Sequence, residues 1–123
     1  MADRTKPVRK TGLAHFFAAA GYSAGGLRRL WQESAFRQEM LGLVAVPVLL
    51  WALDASALHF VVFAGLALLV IALEALNTAI ECLVDHLTGD WAEFARDAKD
   101  LGSLAVLCGL LCHALLIAHA AFA

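Results

Sequence analysis

The sequence predicts an all-α membrane protein with three transmembrane helices and an N-terminal amphipathic helix on the membrane surface. Of its 123 residues, 62% are hydrophobic, whereas roughly 45–50% of residues in soluble domains are apolar. The mean hydropathy is +0.77, and long stretches have no polar face, unlike the helices of water-soluble proteins. A chain of this length is expected to form a single membrane domain, residues 1–123.

The first element is predicted to be a surface helix over about residues 8–31. The basic residues at the N-terminal end of this segment, followed by an apolar run, also resemble a secretory signal peptide. However, His15 interrupts the apolar run, and Arg28 and Arg29 follow it in place of a neutral mature start. An amphipathic helix on the membrane surface fits better, because its apolar residues recur at the spacing of one helix face: Leu13, Phe16, Phe17 and Ala20.

Helices that contain the three membrane spans are predicted over about residues 34–53, 56–86 and 93–122. Each includes an apolar segment that can cross a hydrocarbon core, which requires about 20 helical residues. Pro47 interrupts the first span, but transmembrane helices tolerate proline. The second helix is longer than a bilayer requires, so we expect its last turns to emerge at a membrane surface.

The basic residues predict the orientation of these spans. Seven precede the first span, two lie between the second and third, and the short connection after the first span has none. By the positive-inside rule, the N-terminus and the loop after residue 85 are expected in the cytoplasm, and the C-terminus outside. The nine residues are Arg4, Lys6, Arg9, Lys10, Arg28, Arg29, Arg37, Arg96 and Lys99.

A polar stripe interrupts the second span where the sequence reads LEALNTAIECLVDH, at 73–86. At 100° per residue its polar side chains fall on one helix face: Glu74, Asn77, Thr78, Glu81 and Asp85. A charged group in the hydrocarbon zone costs at least a few kcal/mol. The stripe is therefore expected to face protein, water or a ligand, although a purely structural contact of Asn77 across the bundle is an alternative.

Two other segments bring polar residues to the same depth. ESAFRQE supplies Glu33, Arg37, Gln38 and Glu39, and RDAKDLGS supplies Lys99, Asp100 and Ser103. Clustered carboxylates would repel a nucleotide triphosphate unless a divalent ion such as Mg²⁺ lies between them, and a glutamate suits proton abstraction from an alcohol. A proton or cation pathway would use the same groups, so these residues leave both chemistries open.

The cysteines and the C-terminal histidines predict no further site. Cys82, Cys108 and Cys112 lack the spacing of a zinc site and are expected to be small buried hydrophobes. His113 and His119 have no acidic neighbour on their own helix. We interpret them as packing or interfacial residues. Nothing in the composition indicates nucleic acid.

The sequence resembles the small bacterial integral-membrane diacylglycerol kinases. The matching stretches are AAGYSxxGL at 19–27, ESAFRQE at 33–39, LEALNTAIECLVD at 73–85 and AKDLGS at 98–103. Signatures of soluble kinases are absent, as in that family. The resemblance implies phosphorylation of diacylglycerol to phosphatidate, with ATP and Mg²⁺, at the cytoplasmic face of the bacterial inner membrane. It also implies a homotrimer with sites where protomers meet.

The same resemblance implies roles for individual residues. Glu74 is implied as the general base with Asn77 beside it, and Glu33 and Glu81 as Mg²⁺ ligands. The implied nucleotide contacts are Tyr22, Glu33, Asn77, Glu81, Asp90, Trp91, Lys99 and Asp100. The implied lipid contacts are Ser23, Arg37, Gln38, Glu39, Glu74 and Ser103.

The N-terminal helix departs from the family pattern at His15, Ala18 and Ala24–Gly25, and its spacing to ESAFRQE is one residue shorter. Within the family, an undecaprenol kinase is the alternative. A non-enzymatic ion-conducting bundle or assembly factor is a remote alternative, because the polar stripe stops at one membrane face.

Overall fold

A computed structural model describes residues 5–123, and in that part of the chain four α-helices follow one another. They are α1 (Gly12–Leu30), α2 (Ser34–Ala52), α3 (Ala57–Leu87) and α4 (Glu93–Phe122). Helices α2, α3 and α4 are long and apolar enough to cross a membrane. The prediction of an all-α membrane fold is confirmed. Arg4, one of the basic residues used for the orientation, lies outside the described residues.

Helix α1 begins at Gly12, later than the residue 8 expected from the sequence. The preceding Thr11 is extended, and Gly12 has a φ of +64°, a conformation that glycine adopts readily. A helix start further back would also place Arg9 and Lys10 at the positive end of the helix dipole, which is unfavourable. The basic segment therefore stays outside the helix.

A Schellman motif terminates α2 and turns the chain towards α3. The N–H of Ala55 donates to the carbonyl of Leu50 at 2.9 Å, and the N–H of Asp54 donates to that of Trp51 at 3.1 Å, the two bonds that define the motif. Asp54 takes the left-handed position, with φ 58°. Leu50 is fully buried and Ala55 packs against the same core, so the turn closes the apolar end of the bundle.

Helices α3 and α4 form the most extensive helix pair and run antiparallel. A charged pair lies at one end of their interface and a histidine pair at the other, about 39 Å apart at 1.5 Å per residue. We call these the basic end and the histidine end of the bundle. The facing pairs along the interface are Asp85–Lys99, Asn77–Gly102, Val70–Gly109, Phe63–His113 and His59–His119.

The interior of the bundle changes character along its length. Nearer the histidine end it is apolar, with a core cluster of Leu43, Val46, Leu50, Val70 and Leu116. Nearer the basic end, the buried face of α3 is polar, because Glu74 and Thr78 are only 6% and 7% exposed. Many large apolar side chains point outward instead, which suits lipid or partner helices. The polar interior near the basic end is where a site is expected.

Candidate active site

A pocket of about 200 Å³ opens in this polar region between α2, α3 and α4. Four of its nine lining residues are glutamates, so we call it the carboxylate pocket. Glu74 is the most buried of the polar groups in the chain's interior apart from His113. The lining residues are Glu33, Ala35, Glu39, Glu74, Asn77, Thr78, Glu81, Ser103 and Val106.

The polar stripe of α3 forms one wall of the carboxylate pocket. Glu74, Asn77, Thr78 and Glu81 line it together, since positions three, four and seven residues apart share a helix face. Asp85, the last residue of the stripe, lies outside the pocket and pairs with Lys99 at 2.7 Å. The first four residues of the stripe therefore face the interior of the bundle, as expected for polar groups that avoid lipid.

The start of α2 supplies the opposite wall. Glu33 precedes α2 in an extended conformation and makes no side-chain bond that caps the helix, so its carboxylate is free to point elsewhere. Glu39, six residues further along the chain, lies beside Glu74. Carboxyl groups from two helices therefore meet across the pocket.

Two buried oxygen atoms in the pocket lack a hydrogen-bond donor. They are Oε2 of Glu39 and Oδ1 of Asn77, while Nδ2 of Asn77 donates to Oε1 of Glu81 at 3.4 Å. A buried acceptor without a partner is costly and calls for an explanation, such as a bound cation or water. Because Oδ1 of Asn77 packs against Gly102 of α4, it is Oε2 of Glu39 that leaves the pocket with unused capacity to accept a proton, a metal ion or a donor group from a ligand.

This donor set fits Mg²⁺ only in combination with a ligand. Among residues 5–123, no group of three or more His, Cys, Asp or Glu side chains is arranged to enclose a metal ion. Mg²⁺ commonly takes just one or two carboxylates and completes its shell with water and substrate phosphates. Glu33 and Glu81, which both line the pocket, would meet that smaller requirement together with a phosphate.

Arg29 lies at the rim of the pocket and engages one of these carboxylates. Its Nη1 contacts Oε1 of Glu33 at 2.6 Å, and its Nη2 lies 3.7 Å from Sγ of Cys82. The hydrogen bond to Glu33 raises the pKa of Arg29, so the guanidinium remains charged. Arg29 and a metal ion would therefore compete for the Glu33 carboxylate.

Gly102 on α4 makes room for the side-chain amide of Asn77. A Cβ at position 102 would overlap the side-chain amide of Asn77, mainly at Oδ1. Because glycine has no Cβ, α4 lies against the amide without displacing it. The position of Asn77 thus depends on a residue without a side chain.

Six of the predicted site residues come together in the carboxylate pocket of a single chain. They are Glu33, Glu39, Glu74, Asn77, Glu81 and Ser103. These include the implied base and both implied metal ligands. The convergence of three segments, which was inferred from the helix periodicity and topology, therefore has a counterpart in the structure.

The other predicted nucleotide contacts lie outside this pocket. Lys99 pairs with Asp85, and Asp100 is exposed on the first turns of α4. Asp90 hydrogen-bonds to Thr88 in the loop between α3 and α4. Trp91 in the same loop is 79% exposed. Tyr22, 73% exposed, lines a separate cleft with the basic segment at residues 6–10.

Three predicted lipid contacts also lie outside the carboxylate pocket. Nη1 of Arg37 donates to the carbonyl of Trp31 at 2.6 Å, and Gln38 is exposed beside it. Ser23 donates to the carbonyl of Ala19 at 3.0 Å and lines an apolar groove of about 320 Å³ between α1 and α3. One chain therefore holds the centre of the predicted site but not its periphery.

Three further residues lie at the site although the sequence motifs did not predict them there. The contact of Arg29 with Glu33 could have been predicted from the sequence, since Arg29 precedes Glu33 by four residues, which is the spacing of a helical ion pair. Thr78 belongs to the polar stripe and lines the pocket. No spacing in the sequence predicts the role of Gly102, because that role depends on where Asn77 lies in three dimensions.

Comparison with known proteins identifies the family. The model of the prokaryotic diacylglycerol kinase family matches residues 21–121. The chain is 43% identical to a diacylglycerol kinase from Sinorhizobium sp. over 117 residues, which cover 94% of this chain and 85% of the relative. It is 43% identical to one from Escherichia coli strain K12 over 103 residues, which cover 82% and 84%.

A more distant relative gives the same result. The chain is 33% identical to a diacylglycerol kinase from Helicobacter pylori strain J99 over 112 residues, which cover 90% of this chain and 88% of the relative. The family model's match, residues 21–121, includes every residue that lines the carboxylate pocket, and together with the relatives it confirms the resemblance seen in the sequence motifs. The chain therefore belongs to the prokaryotic diacylglycerol kinase family.

Proposed function

We propose that this protein transfers the γ-phosphoryl group of ATP to the primary hydroxyl of diacylglycerol and so forms phosphatidate. Family membership makes the chain a lipid kinase and a bacterial multi-pass membrane protein. The single observation that supports the proposed chemistry best is the carboxylate pocket, because a buried Glu74 shares it with two carboxylates suited to a magnesium–phosphate complex.

Glu74 is the proposed general base. Its carboxylate lies inside the bundle, on the helix that contacts all three others, and we propose that the lipid alcohol reaches it from the bilayer through the carboxylate pocket. As the hydroxyl oxygen bonds to the γ-phosphorus, the bond from that phosphorus to the β,γ-bridging oxygen breaks. ADP leaves, and the hydroxyl proton passes to Glu74.

Glu33 and Glu81 are the proposed holders of the metal ion. Mg²⁺, when bound with ATP, neutralises the charge of the phosphates during transfer. Glu33 must first leave Arg29, whose guanidinium then lies beside the incoming phosphates with its charge unpaired. Asn77, bonded to Glu81 and with a free Oδ1, is placed to orient the second carboxylate.

The peripheral residues complete the site in the proposed homotrimer. Tyr22, Asp90, Trp91, Lys99 and Asp100 are proposed nucleotide contacts, and Ser23, Arg37 and Gln38 join Glu39 and Ser103 near the lipid. Most of these are exposed in the single chain and lie outside its pocket, which is expected if a neighbouring protomer covers them. The outward apolar side chains of the helices are consistent with such an assembly.

The proposed orientation places the carboxylate pocket at the cytoplasmic face of the bacterial inner membrane. Its support is the charge distribution, because Arg28 and Arg29 lie in the last turn of α1 and Arg96 and Lys99 lie in the first turns of α4. ATP is available on that side. An ion-conducting bundle is disfavoured, since among residues 5–123 the core between the pocket and the histidine end is apolar except for the single buried His113.

A substrate panel tests the proposed function. Purified protein in mixed micelles receives radiolabelled MgATP together with diacylglycerol or undecaprenol. We expect phosphatidate as the main product and a much smaller yield of undecaprenyl phosphate. A preference for undecaprenol would replace the substrate while retaining the kinase chemistry, and absence of transfer to either alcohol would overturn the proposal.

A further inference from the structure

Two imidazole rings face each other at the histidine end of the bundle. Nε2 of His59, in the first turn of α3, lies 3.0 Å from Nδ1 of His119, in the last turn of α4. The ring centroids are 5.2 Å apart. Glu74 lies about 22 Å further along α3 at 1.5 Å per residue, so this pair is separate from the carboxylate pocket.

The second nitrogen of His59 is also fixed. Nδ1 lies 2.8 Å from Oγ of Ser56, the residue that precedes α3. When that hydroxyl accepts the Nδ1 proton, Nε2 presents its lone pair to His119. Histidines that bind metal ions usually donate their other ring N–H to an acceptor in this way, which sets the tautomer and the ring orientation.

The distance between the two facing nitrogens suits a shared metal ion. Two nitrogen ligands at about 2.0–2.1 Å from one ion are about 2.9–3.4 Å apart for bond angles between 90° and tetrahedral. The observed 3.0 Å falls within that interval. His119 is exposed and His59 is half-buried, so the remainder of the chain does not seal the pair off from an ion.

We propose that His59 and His119 form a binding site for a divalent transition-metal ion such as Cu²⁺, Ni²⁺ or Zn²⁺, with water completing the coordination shell. Imidazole nitrogen is a good ligand for these ions, whereas Mg²⁺ prefers oxygen. The site is therefore chemically distinct from the carboxylate pocket. It joins the start of α3 to the end of α4, and it goes beyond the proposed kinase function.

The sequence predicts a packing or interfacial role for His119, because His119 has no acidic neighbour on its own helix. The partner comes from α3, sixty positions away in the chain. The antiparallel register that places Phe63 against His113 also brings His59 opposite His119. A tertiary contact thus creates a ligand pair that spacing along the chain does not show.

Metal binding to protein without a polyhistidine tag tests the proposal. Titration with Ni²⁺ should show one bound ion per chain and a raised melting temperature, whereas Mg²⁺ should give no such shift. His59→Gln and His119→Gln should each weaken Ni²⁺ binding at least about tenfold. His86→Gln, at the opposite end of α3, is the matched control and should leave the binding unchanged. Lipid kinase turnover should be unaffected in His59→Gln and His119→Gln.

A spectroscopic measurement identifies the metal ligands in the unaltered protein itself, so this part of the test does not depend on the folding of the variants. Electron paramagnetic resonance with one equivalent of Cu²⁺ should show coupling to two imidazole nitrogens, and either glutamine variant should lose that two-nitrogen signal. Cu²⁺ without imidazole coupling, or Ni²⁺ affinity that both glutamine variants retain, would show that the pair is only a hydrogen bond and overturn the proposal.

Discussion

The side-chain amide of Asn77 on α3 fills the space where a Cβ on Gly102 of α4 would stand. This contact links the backbone of one helix to a polar group of the other at the edge of the carboxylate pocket. Asn77 also donates to Glu81 at 3.4 Å. The packing of α4 therefore controls the position of an amide and, through it, of a carboxylate proposed to hold Mg²⁺.

Gly102→Ala should displace Asn77 and lower turnover. Since the added methyl group overlaps the amide, the Asn77–Glu81 hydrogen bond is expected to break, and turnover should fall about tenfold for the loss of one such bond. The overpacking should also cost about 1–3 kcal/mol of stability. Steady-state kinetics and thermal unfolding measure the two effects.

Gly65→Ala is the matched control for that variant. Gly65 also lies in a transmembrane helix, but a Cβ there meets no atom within 4 Å. Its turnover should equal that of the unaltered protein. Equal turnover in both alanine variants would show that Gly102 does not position Asn77.

Glu74→Gln should abolish lipid phosphorylation while the protein remains folded. Glutamine keeps the size of the side chain but cannot accept the hydroxyl proton, and loss of a general base costs about 10²–10⁴-fold in rate. Transfer of radiolabel to diacylglycerol measures it. Glu93→Gln, an exposed glutamate at the start of α4, makes the same chemical change outside the pocket and should retain full activity.

Arg29→Gln should lower the Mg²⁺ concentration required for half-maximal activity. Arg29 occupies Oε1 of Glu33 at 2.6 Å, so its removal frees a carboxylate for the ion. Glu33→Gln should have the opposite effect. Arg28→Gln removes the same charge from the neighbouring position and serves as the control. An unchanged Mg²⁺ requirement in Arg29→Gln would mean that the ion pair does not compete with metal binding.

Lys99→Met should raise the KM for ATP at least about tenfold, as expected when a charge-assisted contact to phosphate is lost. In the structure Lys99 bonds to Asp85 at 2.7 Å, so a nucleotide contact requires it to leave that partner. Asp85→Asn should therefore leave the KM unchanged or lower it. If the two variants raise the KM equally, Lys99 acts through its pair with Asp85 instead of contacting ATP.

Asp54→Gly should stabilise the protein slightly. Asp54 holds the left-handed position of the Schellman motif, which costs a residue with a Cβ up to about 1–2 kcal/mol relative to glycine, and less for aspartate. The melting temperature should rise by a few degrees. Asp54→Val, with a branched side chain, should lower it, and a rise in that variant would contradict the assigned turn.

The helices and the central carboxylates could be predicted from the sequence because both depend on local patterns. An apolar run long enough for a bilayer predicts a span, and the spacing of Glu74, Asn77 and Glu81 places them on one face whatever else the chain does. The start of α1 at Gly12 was harder to predict, since the apolar pattern does not show where the basic segment leaves the helix.

Only the tertiary structure decided which groups from different helices touch. The pairing of Glu39 with Glu74, the space that Gly102 leaves for Asn77, and the meeting of His59 with His119 all depend on the helix register. Periodicity assigns a residue to a face of its own helix, but it does not set the rotation and sliding of that helix against another. Side-chain packing sets those, so the polar stripe was determined by the sequence and its partners by the fold.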